Sequence, residues 1–205
     1  MDDFSRQIDF LQQHSTYARR WLIARPEWLE WLRTQGQKKV DLEGIRSLLK
    51  DCGVECQSDS QDEALWMASL RLARQRLMLW VAFRDLNGMA DLQEVTHALS
   101  YFAELAVSAS IDYIREDLKN RFGLPWSNAT QSEMPLMVVG MGKLGGLELN
   151  LSSDIDLIFL YEHEGETVGG PKGLSNHEWF TRMGKRLIKL LAEHDANGFV
   201  FRVDM

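Results

Sequence analysis

Two patterns able to do chemistry lie close together: a glycine turn, Gly140-Met141-Gly142-Lys143-Leu144-Gly145-Gly146, and a pair of acids in Ser153-Asp154-Ile155-Asp156. The turn follows a short apolar run, Leu136 to Val139, the position at which backbone amides can approach a phosphate. A P-loop needs Ser or Thr after its Gly-Lys pair to hold magnesium, and Leu144 follows Lys143, so that reading fails. The letters Gly140-x-Gly142-x-x-Gly145 fit a dinucleotide fingerprint, with Glu162 standing 22 positions after Gly140. Length argues against it. Only seven residues, 147–153, separate Gly146 from Asp154, whereas a helical return takes about 10 to 12 plus its loops. It would also leave Asp154 and Asp156 without a task at the edge away from the nucleotide.

The acids suggest other chemistry. Strand alternation puts Asp154 and Asp156 on one face, with Cα atoms about 6.7 Å apart at about 3.3 Å per residue. Beyond them Leu157, Ile158, Phe159 and Leu160 make both faces apolar, as in a strand inside its sheet. Like charges so placed cost several kcal/mol per ion unless a cation lies between them. A divalent metal satisfies that demand, and two Mg²⁺ ions about 3.5 to 4 Å apart could be bracketed by such a pair, as in two-metal phosphoryl and nucleotidyl transfer. Solvated acids at the mouth of a strand are the alternative.

The elements that must position these groups fall into two regions. Residues 1–122 carry helix signals: Pro26 opens a helix with Trp28, Leu29, Trp31 and Leu32 clustered, and Asp41 starts another that Gly53 stops. From Asp62 to Asn87, Trp66, Leu70, Ala73, Leu77, Trp80 and Val81 recur at helical spacing, with Arg71, Arg74 and Gln75 on the other side. Asp91 and Glu94 form a capping box for a long helix towards Asn120. Residues 123–205 change character. Gly123 to Met134 reads as a polar linker; strands are expected over Leu136 to Val139, Asp154 to Tyr161 and Phe199 to Val203. Between the last two lie an acid- and glycine-rich loop, Glu162 to Gly173, and a helix from Ser175, boxed by Glu178, to about Ala196. The fold class is α+β: a helical region followed by a core with a small mixed sheet. Ending at Asp204-Met205 inside a strand pattern, the sequence reads as part of a longer protein with its core incomplete.

Composition narrows the function. The 205 residues are 45% hydrophobic, enough for a real core, and 23 basic against 30 acidic residues give a net charge of −7. That sign opposes the phosphate attraction general nucleic-acid binders rely on. No apolar run approaches the roughly 20 residues of a membrane span. Asp2 and Asp3 stand where a secretory signal would be positive, so a cytoplasmic protein without nucleic-acid or membrane partners is expected. Cys52 and Cys56 lack the further ligands of a zinc site and read as reduced thiols, and the five histidines are scattered. Arg182, Lys185, Arg186 and Lys189 make a basic stripe at helical spacing, either a solvated face or an anchor for phosphate or an acidic partner.

Gly142-Lys143, ten residues, then Asp154-Ile155-Asp156 resembles the DNA polymerase β type nucleotidyltransferase core, with Lys143 departing from the usual Gly or Ser. More narrowly, Gly140 to Phe159, Phe180 to Ile188 and Phe201-Arg202-Val203-Asp204-Met205 resemble the family of bifunctional glutamine synthetase adenylyltransferases and adenylyl-removing enzymes. The match is specific over 136–205, fair from Asp62 and thin before that. The resemblance implies a third carboxylate at Asp204, so that Asp154, Asp156 and Asp204 are catalytic and bind Mg²⁺. It implies a phosphate cradle from Gly142, Lys143, Gly145 and Gly146, with Ser153 either holding phosphates or capping the strand. Val203-Asp204-Met205 looks like the N-terminal half, which removes AMP from a tyrosine of glutamine synthetase by phosphorolysis, releasing ADP. Adenine nucleotide, phosphate, glutamine synthetase and the PII signalling protein are then the expected partners. A non-catalytic helical module docking glutamine synthetase or PII is the opposing reading.

Overall fold

The computed structural model describes residues 2–54 and 62–205. Four short helices, α1 (Asp3–His14), α2 (Thr16–Ala24), α3 (Trp28–Gln35) and α4 (Leu42–Asp51), precede two long ones, α5 (Glu63–Leu86) and α6 (Leu92–Phe122). Asp2, Ser15, Asp41, Asp62 and Asp91 each accept a first-turn backbone N–H through the side chain, satisfying donors a helix start leaves open. Cys52 is a free, buried thiol; Cys56 lies outside the described residues.

Two expectations for the long helices change. Only half of the Asp91–Glu94 box forms. Glu94 is buried and accepts from Arg84 Nε (2.6 Å) and Nη2 (3.2 Å) and from the Val40 N–H (3.0 Å), so its carboxylate ties α5 and α6 to the chain entering α4. The polar side of α5 is covered as well: Arg71 and Gln75 are 4% and 7% exposed. Residues 193–197 lie across them, Arg71 Nη2 donating to the Glu193 carbonyl (2.6 Å) and Gln75 Nε2 to that of Asn197 (2.8 Å).

The linker expected over Gly123 to Met134 is a hairpin, β1 (Gly123–Ser127) and β2 (Ser132–Glu133). With β5 (Thr167–Gly169), drawn from the acid- and glycine-rich loop, it forms an antiparallel sheet in the order β2-β1-β5. Gly123, at φ +78°, marks a close backbone approach: a Cβ there would lie 2.2 Å from the Val168 carbonyl oxygen. A glycine that reads as a loop signal is here what lets two strands pair.

The second sheet holds β3 (Met137–Gly140), β4 (Ile155–Leu160) and β6 (Val203–Asp204) in the order β3-β4-β6. α7 (Gly142–Gly145) fills the glycine turn, and α8 (Asn176–Ala192) starts from a complete Ser175–Glu178 capping box. α8 ends four residues before the expected Ala196, and the strand expected from Phe199 is confined to Val203–Asp204. The Val200 and Phe201 N–H groups both donate to the Leu191 carbonyl (2.9 Å each) and so fold the chain back on α8. The architecture is α+β, with one core running across residue 122: Leu70, Phe102 and Ile114 share it with Ile155, Leu157 and Leu187. A second cluster packs α1 to α3 on Leu79 and Phe83 of α5. Among the described residues no helix is long and apolar enough to cross a membrane.

Candidate active site

The second sheet brings the acids together. β4 runs parallel to β6 with Ile155 opposite Val203 and Asp156 opposite Asp204, which puts the two carboxylate-bearing residues on one face of neighbouring strands about 4.8 Å apart. Alternation along the chain sets Asp154 on that face, and the Ile155 N–H bond to the Arg202 carbonyl (3.0 Å) carries the pairing back to Arg202. Asp156 and Asp204 are exposed and Asp154 is half-buried.

This corrects the expectation of a strand buried on both faces. β4 is central in its sheet, but only the Ile155, Leu157 and Phe159 side is covered; Ile158 and Leu160 on the acid side are 42% and 47% exposed. The acids therefore stay hydrated, and burial by itself no longer demands a cation between them.

The glycine turn closes on the same spot. The Met141 N–H donates to the Asp156 carbonyl (2.9 Å), and Gly142, at φ +53°, sits so near that a Cβ would lie 2.9 Å from Asp156 Oδ2. The Leu149 N–H donates to Ser100 Oγ of α6 (3.3 Å), tying the end of the turn to the helical region. Asn150 and Ser153 bond each other twice, the Asn150 N–H to Ser153 Oγ (3.1 Å) and the Ser153 N–H to the Asn150 carbonyl (3.2 Å).

An open cleft of about 390 Å³ gathers Gly142, Lys143, Ser153, Asp154, Asp156 and Asp204, together with Asn150 and Ser152. Ser153 thus both caps the turn and lines the cleft. Gly145 and Gly146 do not line it. Gly145 borders a groove beside α6 and is needed for packing, since a Cβ would lie 2.6 Å from the Gly140 carbonyl oxygen. Lys143 is exposed and has no carboxylate partner among the described residues.

Arg202 was not among the expected site residues. Its Nε donates to Asp154 Oδ1 and its Nη2 to the Ser152 carbonyl (2.9 Å). The available signal was its place two residues before Asp204, on the same strand face. Among the described residues no three His, Cys, Asp or Glu side chains are grouped as a metal site. The donor chemistry itself, three carboxylates and no thiolate or imidazole, fits a hard cation such as Mg²⁺.

Part of the basic stripe on α8 makes internal contacts. Arg186 pairs with Glu63 (Nε to Oε2, 2.6 Å) and with Asp117, Lys189 pairs with Glu63 (2.8 Å), and Arg182 lies over the Phe122 ring. These contacts lock α8 to the start of α5 and the end of α6, while Lys185 of the stripe is exposed.

The family model described as glutamate-ammonia ligase adenylyltransferase matches residues 6–205. The chain is 44% identical over 198 residues to a bifunctional glutamine synthetase adenylyltransferase/adenylyl-removing enzyme of Ralstonia nicotianae, covering 97% of this chain and 20% of the relative. It is 47% identical over 196 residues to a protein of the same name from Aromatoleum aromaticum, covering 93% of this chain and 19% of the relative. The chain thus spans about a fifth of the length of the curated relatives it matches.

Proposed function

This chain belongs to the glutamate-ammonia ligase adenylyltransferase family, and on that footing we propose that its acid cleft is a Mg²⁺-dependent nucleotidyltransferase site acting on glutamine synthetase, in the half that removes AMP by phosphorolysis. The observation that carries the proposal is the register of β4 and β6, with Asp156 beside Asp204 and Asp154 on the same face, opposite Gly142 and Lys143.

Asp156 and Asp204 would hold the metal directly, and Asp154 would join them once Arg202 moves off it. Bound there, Mg²⁺ would supply charge neutralisation at the phosphoryl oxygens and at the attacking and leaving groups. Lys143 projects from the glycine turn with its charge free for a phosphate. Gly142 keeps the turn close to Asp156, because any larger residue would push the two apart. Arg202 holds Asp154 in the metal-free state and, once displaced, would leave a guanidinium beside the phosphates in addition to the Lys143 ammonium. Phosphate is already an anion, so attack on the AMP phosphorus needs positioning and no general base.

The experiment is to incubate adenylylated glutamine synthetase with the full-length protein containing this chain, phosphate and Mg²⁺, and to look for ADP. ADP release supports the removing half; formation of AMP-tyrosine from ATP without phosphorolysis would reverse the direction. Failure of the full-length protein to bind Mg²⁺-nucleotide through this cleft would favour the docking-module reading.

A further inference from the structure

Arg74 of α5 is half-buried, yet no carboxylate among the described residues pairs with it. Elsewhere on the helix Arg71 bonds Asp195 (2.9 Å) and Arg84 bonds Glu94, while Arg76 rests over the Trp28 and Trp31 rings. Arg74 instead lies over the rings of Phe199 (5.3 Å) and Phe201 (5.7 Å), and its Nε, like those of Arg71 and Arg76, is buried without a hydrogen-bond partner among the described residues. Burial pulls its pKa down, and the Arg202 charge acts in the same direction. Aromatic faces attract the cation but accept none of its five N–H groups in the way an oxyanion does. A guanidinium placed so is short of an anion.

The space it faces is built accordingly. A cleft of about 200 Å³ opens between α2, α5 and the turn at 194–199, lined by Arg20, Arg74, His194, Gln75 and Asn197, and among the described residues no Asp or Glu lines it. In a chain with 30 acidic and 23 basic residues, a cleft with two arginines and no acid runs against the overall charge. Arg20 is exposed, rests over the Trp21 ring (5.5 Å) and makes no ion pair among the described residues. The volume lies below the roughly 300 to 1,000 Å³ of sites for larger organic ligands, which limits the occupant to a small group.

We propose that this cleft is a binding site for a small oxyanion, a phosphate or carboxylate group, held by Arg74 with Arg20 at its mouth. The planar guanidinium fork matches either group bidentately. The site is separate from the acid cleft, though it borders the segment that leads through Phe201 into Arg202 and Asp204.

Calorimetric titration of the 205-residue chain with inorganic phosphate, and in a separate arm with malonate, tests the proposal. Chelator in the buffer keeps metal from recruiting anions to the acid cleft. Saturable binding is expected in at least one arm, and the arm that binds identifies the group. Arg74→Gln should weaken it by about tenfold or more, the loss expected for a charge-assisted hydrogen bond. Arg20→Ala changes an exposed position, so it decides the matter if Arg74→Gln does not fold, and it should weaken binding severalfold. Lys143→Ala should leave binding unchanged. No saturable binding in either arm, undiminished binding in both arginine variants, or loss of binding in Lys143→Ala would overturn the proposal.

Discussion

Among single residues, the three acids of the cleft differ in what holds them. Asp156 lies beside Asp204 across a parallel pair, while Asp154 is held by Arg202. Asp156→Asn or Asp204→Asn in the full-length protein should abolish ADP release while leaving the metal-free melting temperature unchanged or slightly raised, because each relieves like-charge repulsion. Near-normal turnover in either variant would remove that residue from the site. Arg202→Ala should act the opposite way on stability. It deletes an exposed ion pair worth at most about 1 kcal/mol and frees Asp154, so the melting temperature without metal falls and its rise with added Mg²⁺ grows. A melting temperature equally insensitive to Mg²⁺ in both proteins would argue against competition for Asp154. Cys52 offers a check on the core: burial pushes its thiol up to about 11, so almost none is thiolate at neutral pH. Peptide mapping after alkylation should find Cys52 modified only under unfolding conditions.

For whole elements, the informative residues are those that join one helix to another. Glu94 opens α6 yet is 7% exposed and bidentate with Arg84. Removing one partner of a buried pair costs about 3 to 5 kcal/mol, whereas losing an N-cap costs about 1 kcal/mol. Glu94→Ala should therefore destabilise far more than Asp91→Ala in urea titrations; equal effects would mean that the pair adds nothing to the cap. α8 is held by Glu63. Burial pushes the Glu63 carboxyl up, but hydrogen bonds from Lys189 and Arg186 outweigh it and bring its pKa below the ordinary value. A carboxylate lowered on folding stabilises above its unfolded pKa, about 4.3, and loses that contribution as pH falls through the folded value. Glu63→Gln should thus destabilise at neutral pH and converge with the parent in acid, and a constant difference across that range would contradict the latch. Gly142→Ala combines a left-handed φ with a Cβ 2.9 Å from Asp156 Oδ2. It should cost about 1 kcal/mol of stability and a larger share of nucleotide binding. Which elements exist was largely legible, because capping residues and 3.6-residue spacing are local. β1 and β5 were not: Gly123 and Gly169 carry loop chemistry in sequence, and their pairing rests on a contact between segments more than 40 residues apart.

Across the molecule, helices and sheet share one core, with Leu70, Phe102 and Ile114 in the same buried cluster as Ile155, Leu157 and Leu187. Heating should give a single transition by circular dichroism and by tryptophan fluorescence, and two separated transitions would mean that residues 1–122 and 123–205 fold independently. The sequence by itself determined the α+β class, the glycine turn and the family resemblance, because these rest on residue type, local spacing and motif; of the residues expected from them, Gly142, Lys143, Gly145, Gly146, Ser153, Asp154, Asp156 and Asp204, the cleft gathers all but Gly145 and Gly146. Tertiary structure decided which faces are covered. It left the acid side of β4 open, paired Arg186 with Glu63 and Asp117 and Lys189 with Glu63, laid Arg182 over the Phe122 ring, and set Arg202 on Asp154. Among the described residues it also left Arg74 without an acid while supplying one to Arg71. Those outcomes depend on which distant segment lies against a given side chain, and alternation or helical spacing fixes only the direction in which that side chain points.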